Sequence, residues 1–299
     1  MILCCGEALI DMLPRTTTAG EPAFAPHAGG AVFNTAIALG RLGAPSGYFG
    51  GLSDDLFGQL LTETLDASRV DSALAPRAAR PTTLAFVTLT DGHAKYAFYD
   101  ENTAGRMLTK ADLPDTSACA ALFFGGISLV SEPAADAYAA LCAREAGQRP
   151  IMIDPNIRPG FITDEPRYRA RLNAMLGAAD IVKISDEDMA WLGTTPETLI
   201  AGGTALVLIT RGAEGVDAHN AAGQIRVPAH KATVVDTVGA GDTFNAGLLA
   251  GLWRAGQLDR DLLRATPLDA LRPAIDLGAR AAAVTVSRAG ANPPWDTEL

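Results

Sequence analysis

The chain has 299 residues, 48% apolar and 19% charged, a balance that excludes intrinsic disorder and can fill the core of one large or two smaller α/β units. Size scaling puts roughly 12,000 Å² outside the folded chain against about 45,000 Å² when unfolded, so nearly three quarters of the surface is buried. A net charge of −10, with only four lysines, excludes the electrostatic footprint of a nucleic-acid binder and predicts repulsion from anionic membranes. A phosphorylated ligand must then be held locally, by backbone dipoles, a metal or one or two cations.

The N-terminus, Met1–Pro14, lacks a basic segment and meets Glu7 and Asp11 at once, so it reads as no signal peptide. No apolar run approaches the ~20 residues that cross a bilayer, which predicts a cytoplasmic protein. Cys4, Cys5, Cys119 and Cys142 have neither disulfide-framework nor zinc spacing and read as reduced core thiols.

Taken in order, apolar runs alternate with helical patterns. Ile2–Cys5 reads as a buried strand stopped by Gly6. Val32, Ile37, Ala38, Leu39 and Leu42 then sit at helical spacing, ended by Gly43. Tyr48–Phe49 reads as a strand, followed by a helix from about Asp55 to Leu65. Three strand-then-helix units come next: Ala121–Phe124 with Pro133–Ala146, Ile151–Ile153 with Arg167–Leu176, and Ile181–Ile184 with Glu187–Leu192. Ala205–Ile209 and Ala232–Val235 are further strand-like runs. Strands separated by helices imply parallel pairing and right-handed crossovers, hence a three-layer α/β/α sandwich with a mostly parallel sheet.

One region breaks the rhythm. Thr82–Thr90 and Ala94–Tyr99 are strand-like runs joined across Asp91-Gly92, a hairpin signal. With the Pro- and Thr-rich stretch 13–28, the region 82–102 would make a small β lid; the alternative is an antiparallel edge on the main sheet.

The sharpest chemical signal is Val235-Asp236-Thr237-Val238-Gly239-Ala240-Gly241-Asp242-Thr243-Phe244. A glycine-rich turn here opens a helix marked by Phe244, Leu248 and Leu252, so first-turn N–H groups and the helix dipole can cradle a phosphate without a lysine. Asp242 would sit beside the phosphoryl group, where it could accept a proton from an attacking hydroxyl; the plainer alternative is a helix-capping Asp. Competing nucleotide signatures are missing: no lysine follows a glycine, and no Gly-x-Gly-x-x-Gly follows the first strand. Gly29-Gly30 opens another helix, in which Asn34 could bind hydroxyl groups or simply face solvent. Asp11 and Asp154-Pro155-Asn156-Ile157-Arg158 follow strands, at the carboxyl edge where open α/β sheets place ligands.

Together these residues resemble the ribokinase-like, PfkB-type family of carbohydrate kinases over essentially the whole chain, as a single domain of residues 1–299. Its C-terminal signature is similar to Asp236–Phe244, and its N-terminal one to Gly29–Gly43 with Phe49–Gly58. The resemblance implies an α/β core with a β lid, ATP as donor and Mg²⁺. It implies Asp242 as base, with Gly239, Ala240 and Gly241 completing an anion hole. Sugar binding would fall to Asp11, Gly29, Gly30, Asn34, Tyr99 and Arg158. Nucleotide binding would fall to Lys183, Ser185, Thr210, Arg211, Gly212, Gly215 and Gly241. The family's Asn-x-x-Glu reads Ser185-Asp186-Glu187-Asp188 here, leaving Asp188 to hold Mg²⁺ through water. Val286–Pro294 resembles the segment that helps bind a monovalent cation, K⁺, with Asp236 and Val238 as candidates, although Pro294 replaces a hydroxyl residue.

Within the family, Gly6–Asp11, Tyr96–Ala104 and Asp154–Pro159 are most similar to bacterial fructokinases. In the rival 2-keto-3-deoxygluconate kinases an Arg follows the lid tyrosine. Asp100 stands there in this chain and would repel an acidic sugar, which favours a neutral one. Ribokinase, a nucleoside kinase of the same fold and a non-catalytic binding regulator remain as alternatives. Lid-mediated homodimers are common in the family the chain resembles, which adds a homodimer through the lid as one assembly; the sequence itself does not give the oligomeric state.

Overall fold

The computed structural model describes residues 1–90 and 93–299, with side chains described outside 89–96. The expected Asp91-Gly92 turn lies outside the described residues. The chain opens with β1 (Ile2–Cys5), β2 (Leu9–Thr16), β3 (Pro22–Gly29), α1 (Ala31–Arg41), β4 (Ser46–Phe49), β5 (Leu52–Ser53) and α2 (Leu56–Ala67). It continues through β6 (Val70–Asp71), β7 (Arg77–Ala78), β8 (Leu84–Thr90), β9 (His93–Tyr99), β10 (Ala121–Gly125), α3 (Ala134–Glu145) and β11 (Ile151–Asp154). Then come α4 (Glu165–Leu176), β12 (Ile181–Ser185), α5 (Asp186–Leu192), α6 (Pro196–Ala201) and β13 (Leu206–Thr210). The antiparallel strands β14 (Val216–Asn220) and β15 (Gly223–Val227) precede α7 (Ala240–Arg254), α8 (Arg260–Ala265) and α9 (Leu268–Val286).

The main sheet has nine strands in the order β15-β14-β13-β12-β11-β10-β1-β4-β6. Pairing is parallel from β13 through β6, and β14–β15 adds an antiparallel edge that the periodicity did not reveal. Alternate residues of each strand feed two separate cores. Ile2, Cys4, Phe123, Met152 and Leu208 pack under α1, α7 and α9. Leu3, Cys5, Phe124, Ile153 and Val207 pack under α3 and α4. This division makes the three layers, because side chains two apart share a strand face. All four cysteines are buried free thiols.

The lid is a separate four-stranded sheet, order β3-β2-β8-β9, and not an edge of the main one. It begins at Leu9, four residues before the expected 13–28 stretch. Its register decides which side chains face the body. Asp11 pairs with Ala85, and Ala85 with Phe98, so these three share one face. Leu84, Phe86 and Tyr99 fall on the other.

The expected strand Ala232–Val235 does not form. The N–H groups of Val235 and Asp236 both donate to the Val286 carbonyl at the end of α9, at 2.8 and 3.2 Å, so this segment is a loop docked on a helix terminus. Among the described residues, no helix is long and apolar enough to cross a membrane.

Candidate active site

The first turn of α7 lies at the meeting of two cavities. Gly239 caps the helix at φ 77°, a left-handed conformation, and a Cβ there would fall 2.7 Å from that of Ala291. Beside Gly241 stands an ammonium: Lys183 Nζ would lie 3.0 Å from a Cβ placed on that residue. Lys183 is 6% exposed and pairs with the buried Asp154 at 2.9 Å. Asp154 Oδ2 also accepts from Asn245 Nδ2 at 2.8 Å, while its Oδ1 is buried without a partner.

Asp242, the third residue of α7, is 8% exposed and accepts from Asn34 Nδ2 at 2.9 Å. Burial pushes its carboxyl up to about 7; the nearby charges of Asp154 and Glu7 add to the rise, and Asn34 and Lys183 oppose it. A carboxyl group tuned near neutrality can both accept and return a proton at working pH.

The smaller cavity, about 370 Å³, holds Glu7, Asp11, Arg158, Lys183, Gly241 and Asp242 in its walls. Burial pushes Asp11 up to about 6. Gly29 leaves it room, since a Cβ there would fall 2.3 Å from Asp11 Oδ2. Gly30 and Val238 also line this space, and Phe98 and Phe161 close one side in an edge-to-face pair, centroids 4.2 Å apart. The larger cavity, about 670 Å³, has Thr210, Gly212 and Gly215 on one wall and Ala279, Ala282 and Ala283 of α9 on another. Thr237 and Gly241 border both. A small polar pocket therefore meets a larger, mostly apolar cavity at a glycine-rich helix start. That arrangement suits transfer of a phosphoryl group from a nucleotide to a hydroxyl.

A model of the pfkB family carbohydrate kinases matches residues 1–298. The chain belongs to this family. A fructokinase from Rhizobium leguminosarum bv. trifolii is 57% identical over 259 residues, 84% of this chain and 79% of that protein. A fructokinase from Xylella fastidiosa with bound ATP matches at TM-score 0.88 and 29% identity, covering 97% of this chain and 93% of that one. A fructokinase double mutant from Vibrio cholerae O395, with fructose, ADP and potassium ion bound, matches at TM-score 0.83 and 25% identity. Coverage there is 97% of this chain and 93% of that one.

Several expected site residues of this pfkB-family chain are placed otherwise. Tyr99 is 62% exposed and rests on Phe86, away from the sugar-side cavity, because it alternates with Phe98 along β9. Asn34 does not line that cavity; its amide is spent on Asp242. Arg211 lines neither cavity, since its guanidinium is held by Asp217 at 2.7 Å. Ser185 caps α5, accepting the Asp188 N–H at 3.0 Å, and neither residue lines either of the two cavities. Lys183 borders the sugar-side cavity and the α7 turn, and does not line the larger slot. The Ala240 N–H reaches back to the Thr237 carbonyl at 3.3 Å. Asp236 accepts from the N–H groups of Val238 and Gly290 at 3.0 and 2.9 Å, which fastens its loop to the 286–294 segment. Asp100 is neutralised by Arg106 at 2.8 Å and lies outside the sugar-side cavity, so the charge argument built on it fails.

The structure adds Glu7, Phe161, Asn245 and the α9 wall to the residues around the two cavities. Glu7 carried a signal, its place just past β1 at the carboxyl edge, and Asn245 another, three residues on from Asp242. Phe161 and the α9 alanines carried none, since small or apolar residues look like core.

Proposed function

We propose that this enzyme transfers the γ-phosphoryl group of ATP to the 6-hydroxyl of D-fructose, giving fructose 6-phosphate and ADP. The observation that carries the reading is the junction at Thr237 and Gly241, where the polar cavity, the apolar slot and Asp242 converge. The similarity to fructokinases supports the choice of sugar. Charge supports it too: with Asp154 paired to Lys183, the cavity sets Glu7, Asp11 and Asp242 against Arg158, an unfavourable place for an acidic sugar.

In the proposed reaction Asp242 accepts the hydroxyl proton as the sugar oxygen bonds to the γ-phosphorus and the bond to the ADP oxygen breaks. Asp11 accepts hydrogen bonds from the sugar hydroxyls beside Gly29 and Gly30. Gly239, Gly241 and the start of α7 direct N–H dipoles at the phosphates, with the Ala240 N–H turned back onto Thr237, and Lys183 adds an ammonium beside Gly241. Thr210, Gly212, Gly215 and the α9 alanines enclose the base.

Among the described residues no group of three or more His, Cys, Asp or Glu could hold a metal ion. Mg²⁺ nevertheless fits, because it keeps several waters and takes phosphate oxygens, needing only one or two carboxylates. The unpartnered Oδ1 of Asp154 and the half-buried Asp188, pushed up by burial and by the charge of Asp154, are the carboxylates that would hold it through water. When bound, Mg²⁺ neutralises charge on the phosphates. A monovalent cation such as K⁺ would sit by the loop of Asp236 and Val238. A second copy of the chain is the proposed partner of the outer lid face, where Phe24, Phe86 and Tyr99 form an aromatic row.

The test is ADP release with fructose, ribose, 2-keto-3-deoxygluconate, tagatose phosphate and adenosine, with phosphorus NMR of the product. Highest kcat/KM on fructose and a 6-phosphate signal are expected; a preference for the acidic sugar overturns the reading. The Phe98–Phe161 pair makes a riboside carrying a planar base the second reading, which the adenosine arm examines.

A further inference from the structure

We propose that Glu7 is a positioning residue of the phosphoryl-transfer site, bolting the start of α1 to the turn after β10 and thereby setting Asn34 against Asp242. The proposal rests on the sugar-kinase reading above. Glu7 Oε1 accepts the Ala31 N–H at 2.9 Å, and its Oε2 accepts the Ser128 N–H at 3.2 Å. Its main-chain carbonyl accepts the Phe33 N–H at 3.2 Å. These three N–H groups come from the first turn of α1 and from the 3₁₀ turn Gly126–Leu129, between which no hydrogen bond occurs among the described residues. Both are helix starts, where a carboxylate is the favoured partner. Space is equally restrictive: Gly126 has φ 67°, and a Cβ there would fall 2.2 Å from Glu7 Oε1.

The mechanical chain is short. Glu7 holds Ala31; one helical turn later Asn34 donates to Asp242 at 2.9 Å, and the neighbouring Thr35 hydroxyl is shared between the Ala31 carbonyl at 3.0 Å and the Asp242 carbonyl at 3.3 Å. α1 and α7 thus meet at the base, and the Glu7 clamp holds the first turn of α1, from which Asn34 reaches Asp242. Glu7 also lines the sugar-side cavity, so its removal loosens the wall facing the sugar, whereas it does not border the nucleotide slot.

Charge gives a second readout. The groups acting on the Asp242 carboxyl are Glu7 and Asp154, which raise it, and Lys183 and Asn34, which lower it. The titratable neighbours of Glu7 itself include Tyr48 and Tyr138, whose buried hydroxyls are pushed far up and donate to the Gly6 carbonyl. They stay neutral across the working range.

Glu7→Gln and Glu7→Asp separate the two effects. Glu7→Gln keeps the size and removes the charge, and its amide N–H faces a backbone N–H. Glu7→Asp keeps the charge but is one methylene too short to span both helix starts. With thermal melts to confirm folding, both should lose roughly 10–100-fold in kcat on fructose, with KM for ATP within about twofold. Burial pushes the Glu7 carboxyl up, and the Ala31 and Ser128 N–H groups draw it back down. In its ionised form it opposes charge on Asp242, so the acid limb of the kcat/KM profile should move to lower pH in Glu7→Gln alone. A folded Glu7→Gln with kcat within about threefold of wild type, or with an unmoved acid limb, overturns the proposal. If Glu7→Gln fails to fold, Glu7→Asp decides alone, and near-wild-type kcat overturns it. A wild-type chain that ignores fructose speaks against the substrate reading only, because the variants are then compared on the sugar it does use.

Discussion

The two cavities that meet at the start of α7 are built on opposite principles. The sugar-side cavity is small and charged, and its walls come from β2, the segment after β11, β12 and α7, far apart in sequence. The nucleotide-side slot is nearly twice as large, and small apolar side chains from the C-terminal third of the chain dominate it. Chemistry needs charges held at fixed distances in a low dielectric, which requires several elements to converge. A planar base needs mainly an apolar gap, and in the proposed reading one alanine-faced helix and a glycine turn would enclose it. The difference teaches that substitutions on the two sides should separate into different kinetic constants.

The largest expected effect breaks the sugar side alone. Asp242→Asn should lower kcat by about 10²–10⁴-fold while leaving both KM values near wild type. Wild-type kcat/KM should fall about tenfold per pH unit below about 7, where Asp242 is protonated, and level off above. The same carboxyl has a stability consequence. Its folded value lies above the ordinary 3.8, so its favourable contribution is complete below that value and is lost as pH rises through 7. Asp242→Asn should therefore melt higher than wild type at pH 8, with the gap closing toward pH 4. A kcat within about threefold of wild type removes Asp242 from catalysis.

Next in size, Asp11→Asn should raise KM for fructose roughly tenfold or more, since hydrogen bonds from hydroxyls to a charged carboxylate are replaced by weaker ones. KM for ATP should hold, and a parallel rise in both constants would erase the distinction between the cavities. The mirror experiment fills the slot. Ala283→Leu on α9 should raise KM for ATP by about tenfold with KM for fructose unchanged, checked in the same assay at saturating partner substrate. The smallest effect is expected at Asp100→Asn. Its carboxylate already answers Arg106 and sits outside the sugar-side cavity, so selectivity between fructose and 2-keto-3-deoxygluconate should change by no more than about twofold. A larger change would bring the lid corner back to the sugar.

Periodicity by itself determined the layers. The apolar runs of β1, β10, β11, β12 and β13 and the helical spacings between them are local signals, so the strands, their helices and the parallel sheet could be read in order. The α7 turn was legible for the same reason, because glycines, a helix start and an acid lie within a few consecutive residues. Only the tertiary structure decided which polar groups are spent and which are free. Asn34 belongs to Asp242, Arg211 to Asp217, Asp100 to Arg106 and Ser185 to its own helix. Tyr99 and Phe98, adjacent in sequence, face opposite sides of the lid by the strand pleat, and the lid's pairing decided that Phe98 shares the face of Asp11 while Tyr99 joins Phe86. A side chain's type announces what bonds it can make, but the partner that satisfies it is chosen by distance, and distance between remote segments exists only once the chain has packed.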